Sequence, residues 1–287
     1  MRIRVAVLLS FALGCDDRSS LDAFDFIQVP SEVGQSAALS SGWTPDALRS
    51  RLAFWFDPMS MVQVGGRVAK WVDLSGNGND AAQPIAAYEP AYDPSGIGGW
   101  PSAMFNGPIT FLSIADDETM RWGTGDFVVL AVARATAQTA PEAMLYQKTG
   151  RYPWDGVNLY INADKPYPTS LAAAQVTGAV FVVSSPPPST FVDSSVHLVG
   201  ARRAGSTLEI RVDGAISSSM TNASVAAVDV SAAGWVANIG QNGYATPRRQ
   251  FQQVHGDIAE MVAVRGPMTQ AELAALEGYL KARYAIP

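Results

Sequence analysis

Residues 146 to 168 gather the side chains best suited to holding a sugar. Tyr146, Tyr152, Trp154, Tyr160 and Tyr167 fall there among Lys148, Arg151, Asp155, Asn158 and Asp164. Aromatic rings supply flat apolar faces, and charged or amide neighbours fix hydroxyl groups. Arg151, Tyr152, Trp154 and Asp155 must lie in a loop, because Pro153 cannot donate to a sheet ladder and Asp155-Gly156 turns the chain. Tyr167 and Tyr244, the latter in Gly-Gln-Asn-Gly-Tyr with Arg248 and Arg249 nearby, extend this candidate carbohydrate-binding set. The competing reading places Tyr146 and Tyr160 in the core and leaves Trp154 covering an edge. For Tyr160 the core reading leads; for Trp154 the two stand level.

A second chemistry is cation binding. Trp71 to Asp80 packs two glycines and several Asn and Asp residues into one loop, with Asp73, Ser75 and Asn77 at alternate positions before Gly78. That order begins like a calcium-binding EF-hand loop, but the twelfth position is Pro84, where a bidentate glutamate is required, and no helix precedes it. A looser calcium site drawing on Asp73, Asn77 and Asp80 fits the flexible coordination of that ion. The alternative is a turn held by Asx side chains bonding their own backbone.

Catalysis has less to work with. Glycoside hydrolysis needs two carboxylates about 5 to 9.5 Å apart, one protonated and one ionised. Glu209 and Asp213 share a face but flank Arg211 on what reads as a polar, exposed side, and Asp257 and Glu260 fall on opposite faces of a regular strand. The two histidines, His197 and His255, each open an expected strand, and no Gly-x-Ser-x-Gly elbow is present. No phosphate-cradling glycine loop follows a strand and opens a helix. The sequence therefore points away from an enzyme.

These groups need a scaffold, and the chain can build one. With 48% hydrophobic and 16% charged residues it buries a full core. A net charge of −6 without a basic patch argues against a nucleic-acid partner. Short apolar stretches alternate with Gly, Pro, Asn and Asp clusters, the punctuation of an all-β chain. Leu52 to Phe56 reads as the first strand, after a short helix capped by Thr44 with Pro45 at its first position. Phe127 to Ala133 is apolar on both faces and should be a central, doubly buried strand. Thr207 to Asp213 alternates and reads as half-exposed. At the end, Thr269 and Glu272 form a capping box, Met268 and Leu273 a hydrophobic staple, and Leu273, Leu276, Leu280 and Tyr284 one apolar stripe.

The N-terminus has its own logic. Arg2 and Arg4 precede an apolar run from Val5 to Leu13, followed by Gly14 and the single cysteine, Cys15. The run is too short to span a bilayer and reads as a secretion signal. It resembles a bacterial lipoprotein signal, with Ala12-Leu13-Gly14-Cys15 as the box and Ala12 where leucine is usual. That resemblance implies lipidation at Cys15, the alternative being an ordinary signal peptide. Residues 1–14 are thus expected to be signal, 15–42 a Ser/Ala/Asp-rich tether and 43–287 one domain.

Taken in order, several segments resemble bacterial laminin-G-like domains of the concanavalin A type. They are Leu52 to Asp57, the Trp71 to Asp80 loop, Met104 to Gly107 with Phe111 to Ile114 as a hairpin, and His197 to Arg203 running into Leu208 to Gly214. Gly256 to Glu260 and the last helix complete the set. The resemblance spans roughly residues 50 to 287. It implies a two-sheet antiparallel jelly-roll sandwich with a C-terminal α-helix packed on it. It further implies an envelope binding or adhesion module for polysaccharide or glycoconjugate, some relatives using calcium. The alternative partner is an envelope protein, with the lipid as the only membrane attachment.

Overall fold

The computed structural model describes residues 42–106, 109–136, 143–150, 156–161, 173–177, 181–184, 193–241 and 253–287. Contacts divide the chain into Met1–Val33 and Gly34–Pro287, and every described residue belongs to the second unit.

The doubly apolar run folds as expected. Phe127–Ala135 is buried along its length apart from Arg134, and pairs with Val196–Ala204 on one side and Gly256–Arg265 on the other. Thr207–Val212 and Ala215–Thr221 extend this layer outward. The far edge of Gly256–Arg265 is shared: Leu52–Phe56 takes Met261 to Val264, and Trp100–Met104 takes Asp257 and Ile258. The split sits at a bulge, where the register jumps from Ile258 to Glu260 and leaves Ala259 as the extra residue.

Ala91–Ile97 pairs with Trp100–Met104 and touches Arg67 through Ala91, carrying the sheet round into a second layer. That layer runs through Arg67–Trp71, Ala81–Ala82, Leu112–Ile114, Ala237–Ile239, Ala143–Thr149, Gly156–Ile161, Ala173–Thr177 and Phe181–Ser184. The described strands number seventeen, all antiparallel, in one curled sheet. Trp100–Met104 and Leu112–Ile114 therefore belong to different layers, and the hairpin expected between them does not form.

The main core lies between the layers, with Phe54, Phe56, Trp71, Phe105, Phe127 and Tyr146 among its largest members. A second cluster covers the outer face of the first layer, where the helix Gln270–Tyr284 lays down Leu273, Leu276, Leu280 and Tyr284 against Leu130, Val262 and Val264. Each such side chain contributes about 1.5–3 kcal/mol relative to exposure. Thr269 and Glu272 form the expected capping box, and Ala285 ends the helix in the left-handed region. The opening helix, Pro45–Arg51, is 3-10, and Thr44 makes no side-chain cap bond. Among the described residues no helix is long and apolar enough to cross a membrane.

Candidate functional site

The second layer places a polar stripe across its strands. Ser113 pairs with Asn238, Asn238 with Gln147 and Gln147 with Asn158, and the backbone register carries the row on to Gln175. Directly opposed residues share a face. The flanking Leu112, Ile114, Ala237, Ile239, Val157 and Leu159 enter the main core, so the amide row faces the other way. Ser113 Oγ donates to Asn238 Oδ1 at 2.8 Å. Gln147, Asn158 and Asn238 are buried, and Met144 and Tyr160 form a small separate apolar pair rather than joining the main core.

Arg151, Tyr152, Trp154, Asp155, Tyr167 and Tyr244 lie outside the described residues, as does Cys15. The strands nevertheless fix where their segments join the sheet. Residues 151–155 connect the paired ends Thr149 and Gly156. The segment containing Tyr167 leaves from Ile161, at the opposite end, beside Ala143. Ala237–Ile239 runs antiparallel to Ala143–Thr149, so the segment containing Tyr244 also leaves from the Ala143 end. The strand ends from which these segments leave thus lie at two ends of the same strands.

At the 151–155 end, a buried cation organises the rim. Lys148 Nζ donates to Asp116 Oδ1 at 2.7 Å, to the Trp235 carbonyl at 2.9 Å and to the Ala232 carbonyl at 3.2 Å. Asp116 Oδ2 also accepts from Arg121 and from the Gly234 N–H, both at 2.6 Å. Burial alone would raise the Asp116 carboxyl, but these hydrogen bonds hold it well below the usual carboxylate range. Burial pushes the Lys148 ammonium down, with Asp116 opposing. Lys148 therefore braces two rim segments, around Asp116 and around Ala232 to Trp235.

Gly240 shows how closely this layer is fitted at its other end. Its φ is +86°, and an added Cβ would lie 2.2 Å from the Phe105 ring. Gln241 follows it, buried, and neither of its amide atoms is hydrogen-bonded among the described residues.

The Asp73 loop is held by its own side chains. Asp73 accepts from the N–H groups of Trp55, Ser75 and Asn79 at 2.9, 2.9 and 3.0 Å, and from the Ser75 hydroxyl at 2.6 Å. Asn77 donates to the carbonyls of Leu52 and Ala53. Asp80 accepts from the Asp73 N–H at 2.9 Å and pairs with Lys70 at 2.5 Å. The three residues are brought close, yet their polar atoms are directed at each other and at the first strand. Among the described residues no group of three or more His, Cys, Asp or Glu side chains could hold a metal.

Two expectations about carboxylates are corrected. The bulge at Ala259 puts Asp257 opposite Arg134 and Glu260 opposite Val132, so Asp257 and Glu260 share a face. Both are buried: Asp257 accepts both Nε and Nη2 of Arg134, and Glu260 lies beneath the helix. Glu209 and Arg211 are also buried rather than exposed. Arg211 grips Glu277 of the helix at 2.5 and 3.0 Å and Glu209 at 3.1 Å, while Arg202 approaches Glu209 at 3.3 Å. Asp213 is drawn away to the following turn, where it pairs with His197 Nδ1 at 2.9 Å.

The roles of two buried groups were not read from the sequence. Arg203 donates to the carbonyls of Gly123, Gly125 and Val228, tying two rim segments together, and among the described residues it forms no ion pair. Glu260 accepts from the Trp55 indole at 2.8 Å and the Tyr284 hydroxyl at 2.9 Å. A charge inside an apolar strand was the available signal in both cases.

No protein-family model and no curated protein sequence matches the chain. Solved structures do resemble it. One is the binding domain of Paraclostridial Mosquitocidal Protein 1, with 11% identity, a TM-score of 0.59, and 80% of this chain and 52% of that one covered. The chain has the β-sandwich fold of that domain. A botulinum neurotoxin type C structure, whose cell entry depends on two ganglioside molecules, matches with 9% identity, a TM-score of 0.52, and coverage of 83% and 53%. A GH54 α-L-arabinofuranosidase matches with 13% identity, a TM-score of 0.57, and coverage of 77% and 52%. This chain spans about half the length of the chains it matches.

Proposed function

We propose that this protein is a lectin-like, laminin-G-type binding module of the cell envelope that recognises polysaccharide or glycoconjugate. The reading is supported by the amide row Ser113, Asn238, Gln147 and Asn158, a polar and largely buried row on the side of the second layer away from the main core. The aromatic segment with Tyr152 and Trp154 joins the sheet at one end of that row, and those with Tyr167 and Tyr244 join at the other. Hydroxyl-rich ligands suit such a face, with rings stacking at its margins. The ganglioside dependence of the botulinum relative in fold supports a glycoconjugate as ligand class. Binding is favoured over hydrolysis because the carboxylates Glu209, Asp257, Glu260 and Glu277 are buried and engaged with Arg or indole donors.

Attachment is proposed through lipid at Cys15, holding the domain at the envelope on residues 15–42. The test of the ligand site is Trp154→Ala, which should abolish binding to a captured glycan while the melting temperature stays within a few degrees of the parent's. Unchanged binding would remove the 151–155 segment from the site.

A further inference from the structure

The large apolar side chains exposed among the described residues are Val62, Val64, Ile85, Ile216 and Val236. Val62, Val64 and Ile85, at 44%, 57% and 51% exposure, come from two adjacent segments. Met61–Val64 and Arg67–Trp71 form a hairpin turning at Gly65 and Gly66. Residues 83–92 are tied to it: Val68 N–H donates to the Pro90 carbonyl at 2.8 Å, Tyr92 N–H to that of Gly66 at 2.9 Å, and Arg67 to that of Glu89 at 2.9 Å. Pro84 through Ala87 are exposed alongside.

Charge says what this tip could meet. Val62 and Val64 alternate along their strand and share a face, and register sets Lys70 opposite Val62 and Arg67 opposite Val64. Two valines therefore stand beside two cations. Residues 61–72 and 81–88 contain no Asp or Glu in a chain of net charge −6. Asp80 pairs with Lys70, whereas the exposed Arg67 donates to the backbone carbonyl of Glu89. A Cβ added at Gly65 or Gly66 would meet nothing within 4 Å, so the turn projects outward instead of lining a groove. A projecting apolar tip beside cations, on an otherwise acidic protein, suits the interface of an anionic bilayer: apolar groups enter the acyl boundary and cations meet the headgroups.

We propose that the tip formed by Val62, Val64 and Ile85, with Arg67 beside it, inserts into the interface of an anionic lipid bilayer. This contact goes beyond the glycan reading and beyond the anchor expected at Cys15. The full chain carrying Cys15→Ala, which has no site for the acyl anchor, is floated with vesicles of phosphatidylcholine and phosphatidylglycerol and with phosphatidylcholine alone. The parent should float with the anionic vesicles, less so in high salt. Val64→Glu with Ile85→Glu should weaken that binding at least about tenfold, and Val64→Trp should strengthen it. Both sites are more than half exposed, so melting curves should be unchanged; Val64→Ser with Ile85→Ser serves if the glutamates disturb folding. Equal flotation of parent and variants, or no flotation of the parent, would overturn the proposal. So would a parent dimer that the glutamates split, which would make the tip a contact between copies.

Discussion

Glu260 and Arg283 meet 3.2 Å apart between the last strand and the C-terminal helix, and the glutamate has no exposed surface. Arg283 also reaches Asp57 at 2.6 Å, so one guanidinium answers two carboxylates. Its ring neighbour is Trp100, 4.1 Å from the guanidinium carbon. The cluster fastens the end of the helix to the first and last strands, and it carries one negative charge more than it neutralises when Glu260 is ionised.

Burial, reinforced by Asp57 and opposed by Arg283, pushes the Glu260 carboxyl up to about 7. The folded chain thus holds a proton that the unfolded chain releases near the ordinary value of 4.5. The resulting stability is complete below that ordinary value and is lost as pH rises through about 7. The melting temperature should fall between mildly acidic and mildly alkaline pH, and Glu260→Gln should flatten the fall. Parallel curves for parent and variant would refute the assignment.

His197 adds a smaller slope of the same sign. Its hydrogen bond to the Asp213 carboxylate raises its pKa, against burial and with help from Asp193. A raised histidine stabilises the fold below its ordinary value and ceases to do so once pH passes its folded value. Melting of His197→Gln across the same range should lose part of the slope that remains in Glu260→Gln. If the double variant is no flatter than Glu260→Gln alone, His197 does not contribute.

The row Arg202, Glu209, Arg211 and Glu277 ties the helix to two strands. Removing one partner leaves a buried charge unanswered. Glu277→Ala should cost roughly 3–5 kcal/mol in chemical denaturation. Asp46→Ala, which breaks the exposed Asp46–Arg49 pair, should cost less than about 1 kcal/mol. Similar losses from both would show that the row is not the helix's main polar attachment.

Asp73 accepts four hydrogen bonds from its own loop and the first strand. Asp73→Ala should destabilise the fold by about 1–3 kcal/mol or more, since each buried donor loses its acceptor. Calcium would have to displace those donors, so the parent's melting temperature should be the same with calcium and with chelator. A calcium-dependent rise would establish Asp73, Asn77 and Asp80 as ligands.

What the sequence revealed was what local pattern encodes. Leu52–Phe56, the doubly buried Phe127–Ala135 and the Thr269–Glu272 cap each depend on neighbours within a few residues, and each formed as expected. The burial of Glu209 and Arg211 depends on a helix more than 50 residues away, which strand alternation cannot report. The shared face of Asp257 and Glu260 turns on one bulged residue, Ala259, and a single shift of register reverses a side chain's face. The amide row was visible only as separate residues; its alignment exists in the pairing of four strands.

The central claim is recognition of a hydroxyl-rich ligand, and the direct measurement is a polysaccharide and glycan array probed with the unit Gly34–Pro287, in calcium and again in chelator. Specific, saturable binding to at least one glycan is expected, equal in both conditions and lost in Trp154→Ala. Absence of binding across the array in both conditions would contradict it and turn attention to a protein partner.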